Sequence, residues 1–486
     1  MASNNTLRES TAKGFFWGAL SNGTQQVVTM LIGIIMARTL SASDYGMVAM
    51  LSVFSILAGN LQESGFTSAL CVKKDTCHED YNAVFWFSIL MSLTIYLLLF
   101  VSSPLIAEFN HTPELTTLGR VIFLGFFISS FGTAHAAYLF RHLMVKEKTS
   151  SQVVASLLSG ITGLSAAFLD FGYWSLVVMD LTYKITYTSL VWHYSPWRPS
   201  MQIQLKPAFR MFGFSSRILL TNLLNTVNNQ LLQSILGHFY VQSQVGQYSQ
   251  ANKWTTMGSS LLTGMVGNVA QPVLSSVNEE KDRQVRIFRK MLRFTALFAM
   301  PSLLGLSFVA PEFIYLTIGE KWMPCVPYLQ ILCVAGAILP INQMFSNLLI
   351  SKGHSDSYLI GTGTFLACQL TAVLLLYPYG IQPLLYTITA LNLLWLAIWQ
   401  WLAQRLVKLS LWQTLKDILP FTVLTLTALF AAYWAALPLE HPLLKISVKI
   451  FTTGIVYATL LQLCHVQIWR ECLDFLLEKI RRKPRL

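Results

Sequence analysis

Four ionisable side chains, Glu63, Asp180, Lys184 and Lys253, stand inside stretches of sequence that are otherwise apolar. A charge in hydrocarbon is expensive, so each needs a partner, a watery cavity or a function. Asp180 and Lys184 are four residues apart with the acid first, the favourable order for an ion pair on one turn of helix. That pair is equally well read as purely structural. Lys253 has no acid within a turn and is expected to line a pathway. Amides run beside these charges. Asn22, Gln25 and Thr29 share one helical face, and Asn222, Asn225 and Asn229 repeat the pattern 200 residues later, extended by Gln233. An amide in lipid is costly without a partner. Helix-to-helix hydrogen bonding accounts for any single one of them, but a stripe that occurs twice points to a cavity between two halves of the molecule.

Chemistry of other kinds finds no residues. There is no Gly-Lys-Ser/Thr phosphate loop, no His-Glu-x-x-His, no Gly-x-Ser-x-Gly and no acidic cluster with metal-ligand spacing, so no catalytic residue and no bound metal or cofactor is expected. Cys77-His78 beside Glu79-Asp80 reads as a solvated loop, and His135 as a packed histidine. Seven cysteines show neither a disulfide framework nor zinc spacing. Without a nucleotide site, transport would run on an ion gradient, the membrane potential or the substrate gradient. If H⁺ or Na⁺ is the coupling ion, Asp180 and Glu63 are the groups placed to carry it.

The elements that must position these residues are spans. Of 486 residues, 54% are hydrophobic and only 12% charged, and the mean hydropathy is +0.52. A spanning helix needs about 20 mostly apolar residues. Windows of about that length place spans near 14–37, 46–67, 82–103, 118–140, 150–169 and 173–194. A second six fall near 213–236, 247–270, 291–310, 325–350, 357–377 and 383–402, and a pair near 418–436 and 446–465. The first apolar run is too long for a signal-peptide core and is read as a retained helix. The expected fold is therefore all-α and polytopic, with about 14 transmembrane helices. Residues 1–200 and 201–405 make two six-helix lobes, and 406–486 adds two helices and a basic tail. Offsetting the chain by 200 residues aligns Leu20 with Leu220, Asn22 with Asn222 and Gly46 with Gly246, among seven identities, and Glu108-Phe109 is echoed by Glu312-Phe313. Six spans return the chain to one side, so the lobes are expected to be parallel repeats enclosing an inter-lobe cavity.

Charge orients this stack. With the N-terminus cytoplasmic, 27 of the 34 Lys and Arg fall in loops or tails on that side, five lie opposite (Arg38, Arg120, Lys321, Lys445, Lys449), and Lys184 and Lys253 lie within spans. Both termini are thus expected inside. The net charge of +12 is absorbed by topology, which removes the reason to expect a nucleic-acid partner. The basic blocks at 281–290 and 479–485 also suit anionic lipid headgroups.

Particular segments resemble a known family. Leu7-Arg-Glu-Ser-Thr-Ala-Lys-Gly-Phe-Phe-Trp17, Ala37-Arg38-Thr-Leu-Ser-Ala-Ser-Asp44-Tyr-Gly46, Glu63-Ser-Gly-Phe66 and Gly319-Glu-Lys-Trp-Met-Pro-Cys-Val-Pro-Tyr-Leu-Gln-Ile-Leu-Cys333 resemble the Wzx-type polysaccharide flippases, in their colanic-acid and teichuronic-acid exporter branch. Tyr173-Trp-Ser-Leu176, Trp197-Arg-Pro199 and Ser351-Lys-Gly-His-Ser-Asp356 look like loop signatures of the same group. The resemblance covers about residues 7 to 420. It implies the multidrug/oligosaccharidyl-lipid/polysaccharide superfamily and alternating access. The implied substrate is an undecaprenyl-diphosphate-linked oligosaccharide, moved across a bacterial inner membrane for surface polysaccharide synthesis. Implied partners are membrane lipids, a glycan polymerase and a chain-length regulator. On that reading Lys253, Lys184 and Arg217 are placed to meet the diphosphate, and the Asn/Gln stripe the sugar hydroxyls. Two alternatives stand beside it: an ion-coupled multidrug antiporter of the same superfamily, which acidic cavity residues would favour, and a polytopic glycan polymerase or glycosyltransferase, which would need a large outer loop or an acidic motif.

Overall fold

A computed structural model describes residues 25–63, 70, 76–142, 144–277, 280–352 and 354–481, and no strand occurs among them. Helix is the form in which a single apolar segment satisfies its own backbone in lipid. The helices are α1 (Gln25–Thr39), α2 (Ala42–Glu63), α3 (His78–Phe109), α4 (Leu115–Ile122), α5 (Leu124–Ser130), α6 (Thr133–Arg141), α7 (Val145–Phe168), α8 (Trp174–Tyr194), α9 (Lys206–Phe239), α10 (Gln242–Ser276), α11 (Lys281–Thr317), α12 (Val326–Ser351), α13 (Ser355–Leu376), α14 (Ile381–Val407), α15 (Leu411–Ala436), α16 (Pro442–Leu463) and α17 (Gln467–Arg481). Among the described residues nine helices are long and apolar enough to cross a membrane, or ten when α4 to α6 count as one bent span. The chain is thus a multi-pass, all-helical membrane protein. Helices also stand at the other expected span positions. In α1 the described part is short, and α8, α9 and α10 fall below the same apolarity because of their polar residues.

The apolar windows of the sequence place one span at 118–140. The structure has three short helices there, with a bend of 43° between the Leu115–Ser130 stretch and α6. At the break, the Gly132 amide bonds back only three residues, to Ser129, and a Cβ at Gly132 would come within 3.3 Å of the Thr188 hydroxyl. The bend thus brings bare backbone against α8.

The chain divides into two compact units, 1–249 and 250–486. In the first, α7 and α8 pack as a pair, and α2 lies against α3 and α9. One core is aromatic: Trp86, Phe131, Trp192 and Trp197 surround Phe85 at ring separations of 5.5 to 6.4 Å. The indoles of Trp86 and Trp192 donate to the Ser200 and Phe131 carbonyls, as buried Trp requires. Ser41 and Asp44 cap α2 reciprocally, each side chain accepting from the other's amide. Just beyond that cap, α2 meets the first turn of α10 backbone to backbone. A Cβ on Gly46 would lie 1.9 Å from the Gln242 carbonyl oxygen, and a Cβ on Gly246 1.8 Å from that of Ala42. The two glycines are 200 residues apart, and so are the two residues they face, so the contact is reciprocal.

The second unit is built on α11, whose 37 residues reach about 55 Å, well beyond a hydrocarbon core of about 30 Å. Helices α12, α15 and α16 pack along it. Two clusters of ion pairs hold the last two long helices to this mast. Toward its start, Asp417 of α15 accepts from Arg289 at 2.6 and 3.1 Å, with Arg293 at 3.4 Å. Toward its end, Lys449 of α16 donates to both oxygens of Glu312 at 2.7 and 2.9 Å. Lys449 was expected among charges at a membrane face; it is 6% exposed and Glu312 8%. Its ammonium also lies over the Phe308 ring, 4.5 Å from the centroid.

Candidate functional site

In the unit 1–249 four polar residues of α8 share one face. Asp180, Tyr183, Lys184 and Tyr187 follow the i, i+3, i+4, i+7 spacing that stacks side chains along a helix. Lys184 donates to Asp180 at 2.6 Å, and the two side chains are 22% and 37% exposed, so the pair is formed and still reachable. Gly125 of α5 makes room for it: a Cβ there would stand 2.6 Å from the Lys184 nitrogen and 3.1 Å from an Asp180 oxygen. Tyr183 is hydrogen-bonded to Gln25 of α1. Tyr187 lies within electrostatic range of Glu63, the last residue of α2. The two phenol rings are parallel to within 4°, their centroids 6.1 Å apart.

Four sequence-chosen residues, Gln25, Glu63, Asp180 and Lys184, thus come to one face, joined by two tyrosines that the sequence reading did not single out. The i, i+4 spacing of Tyr183 and Tyr187 beside Asp180 and Lys184 was the available signal. It was masked because Tyr is also an ordinary membrane-interface residue. The wall has flat rings for the apolar face of a ring-shaped solute. It also has an amide, an ammonium and two carboxylates for hydroxyl groups and anions.

Other predicted residues are placed differently. Gln233 is buried, and its amide donates to the Ala49 carbonyl and the Ser52 hydroxyl at 3.2 Å, tying α9 to α2. Asn60 and Thr226 add a second link between the same helices at 2.6 Å. His135 is wholly enclosed between Trp192 and Trp197, 4.3 and 5.0 Å away. Lys253 of α10 is half-buried, and among the described residues no ion pair or hydrogen bond engages it. It neighbours Trp254, which packs edge-on against Phe313 at 5.0 Å. Asn22 and the side chains of Arg217, Asn222, Asn225 and Asn229 lie outside the described residues.

This chain is similar to proteins of known role. It is 22% identical over 439 residues to the teichuronic acid biosynthesis protein TuaB of Bacillus subtilis (strain 168), covering 90% of this chain and 91% of that one. It is 23% identical over 362 residues to the lipopolysaccharide biosynthesis protein WzxC of Escherichia coli (strain K12), covering 72% of each. In fold it resembles an inward closed form of the lipid II flippase MurJ, with a TM-score of 0.74 at 14% identity over 92% of this chain and 98% of that one. Residues 35–327, more than half of the chain, match the family model described as polysaccharide biosynthesis protein, and the chain belongs to that family.

Proposed function

We propose that the protein is a flippase of polysaccharide assembly. It moves an undecaprenyl-diphosphate-linked oligosaccharide from the cytoplasmic to the outer leaflet of a bacterial inner membrane by alternating access. The observation that carries this reading is the polar face of α8: a sugar-sized run of ring, amide and charged groups set inside a membrane bundle of the polysaccharide biosynthesis family. A polyprenyl tail is at home in lipid, so only the diphosphate and glycan need such a face. Lys184 and Lys253 are the cations for the diphosphate, with Arg217 at the cytoplasmic mouth. Gln25 and the Asn22, Asn222, Asn225 and Asn229 amides are offered to hydroxyls. The polar character of α8, α9 and α10 then has a reason, and these helices with α1 complete a fourteen-span chain of two six-span halves and a pair, both termini cytoplasmic. Asp180 and Glu63 are the groups on which H⁺ or Na⁺ coupling would act. A glycan polymerase and a chain-length regulator would take the product at the outer face.

Deleting the gene is expected to abolish the surface glycan while its lipid-linked repeat unit accumulates on the cytoplasmic leaflet. A deletion strain that displays its glycan normally and accumulates no such lipid overturns the reading. Accumulation of repeat units that are flipped but not joined would instead reveal a polymerase. A Lys253→Ala variant present at normal level is expected to export poorly. Proteoliposomes under imposed pH or Na⁺ gradients identify the coupling ion, and Asp180→Asn and Glu63→Gln its carrier.

A further inference from the structure

The amphipathic α17 is an appendage that spanning does not explain. It is seated through Ile468, which is buried with Leu461, Phe421 and Leu297 in one core. Beneath it lies a cavity of about 580 Å³, the size of an ordinary small-ligand site. Its walls come from Leu262 of α10, Met291, Phe294 and Phe298 of α11, Met344 of α12 and Cys472 of α17 itself. They are almost wholly apolar, and the rings of Phe294 and Phe298 are partly exposed.

The charged groups at the cavity are Lys290 and Glu471, paired at 2.5 Å with 60% and 40% of their side chains exposed. One turn earlier on α11, Arg286 is exposed and has no ion pair among the described residues. Around Glu471 the opening is thus cationic, with Lys290, Arg293 and Arg286 on the same stretch of α11, while the interior hydroxyl, that of Thr295, is spent on the Met291 carbonyl at 2.9 Å and leaves nothing to satisfy a headgroup. An apolar slot with a basic rim, closed by an amphipathic helix, fits a lipid that puts a chain inside and an anionic head outside.

We propose that this cavity binds one acyl chain of an anionic membrane phospholipid, its phosphate held by Lys290 with Arg286, and that α17 is the lid of the site. The ligand is not the transported lipid: a polyprenyl tail is several times longer than a phospholipid chain and would overfill the space. When the phosphate arrives, Lys290 is shared between it and Glu471, and α17 is held down by both. The inference is independent of the flippase reading, because binding is measured without transport.

The test uses the full-length protein in neutral detergent. Phosphatidylglycerol and phosphatidylcholine with identical chains are added, the thermal midpoint is followed, and retained lipids are counted by native mass spectrometry. The expected result is one tightly retained phosphatidylglycerol and a midpoint rise several times that given by phosphatidylcholine. The surface variant Lys290→Gln with Arg286→Gln should erase the headgroup preference, and Leu262→Trp, which fills the slot, should abolish retention. Equal shifts from the two lipids, or a preference unchanged in the surface variant, overturn the proposal. If undecaprenyl phosphate displaces phosphatidylglycerol from wild type at equal concentration, the slot belongs to the transported lipid and the phospholipid assignment falls. The surface variant keeps the test decisive if the tryptophan variant misfolds.

Discussion

Tyr183 and Tyr187 differ in what their hydroxyls do, and that difference can be read out. Tyr183 is engaged by Gln25, so Tyr183→Phe removes a hydrogen bond of about 1 kcal/mol and loosens α1 from α8. If Tyr187 offers its ring face to a sugar, Tyr187→Phe should keep most export while Tyr187→Ala loses about tenfold, about 1.4 kcal/mol at the rate-limiting step. Pulse-labelled glycan appearance at matched protein level measures both. Loss of export in Tyr187→Phe equal to that in Tyr187→Ala removes the ring from the recognition surface. Gly125 gives a steric companion: Gly125→Ala crowds only the far ends of two flexible side chains, Lys184 and Asp180, and is expected to be tolerated, whereas Gly125→Val should split the Asp180–Lys184 pair and impair export.

Among elements, α16 depends on a contact that no local pattern reveals. Lys449→Met leaves Glu312 buried beside a more distant Lys445 at 3.7 Å, and stranding one partner of a buried pair typically costs about 3–5 kcal/mol. Thermal unfolding of Lys449→Met should show a large loss, and Glu312→Gln with Lys449→Met should recover most of it. Equal destabilisation by the single and double changes would mean that packing, not charge, holds α16. The opposite sensitivity applies to α17. Hydrogen bonding from Lys290 holds the Glu471 carboxyl below the usual carboxylate range. A lowered folded value means the contribution to docking is complete above the unfolded value and is lost as pH falls through the folded one. Protection of residues 467–474 against hydrogen exchange, taken relative to the intrinsic rate at each pH, is therefore expected to fall in acid below the ordinary carboxylate range and to be retained at neutral pH.

These cases show where sequence carried and where it did not. The apolar runs forced long helices, and the Asp180–Lys184 spacing forecast a pair that formed, because both signals lie within a few residues of chain. Lys449 was counted as surface charge because Glu312 is 137 residues away, and nothing local distinguishes a paired lysine from a solvated one. The fourth span read as continuous because its residues stay apolar through the bend. The aromatic wall went unseen since tyrosine has two common uses in membranes.

At the scale of the whole molecule, orientation is the first testable consequence. Cys77, just before α3, and Cys464, just after α16, are both exposed and both fall on the side to which the basic loops assign the cytoplasm. A membrane-impermeant maleimide should leave both unlabelled in intact cells and label both after permeabilisation. Labelling of either in intact cells reverses the assignment. The contact between α2 and α10 has a consequence for genetics. At Gly46 and Gly246 the obstacle to any side chain is the opposing main-chain carbonyl, which no substitution at Gln242 or Ala42 can remove. A bulky replacement at either glycine should therefore have no compensating allele at the residue it strikes. Suppressors, if selected, would map to positions that let one helix slide or tilt as a whole.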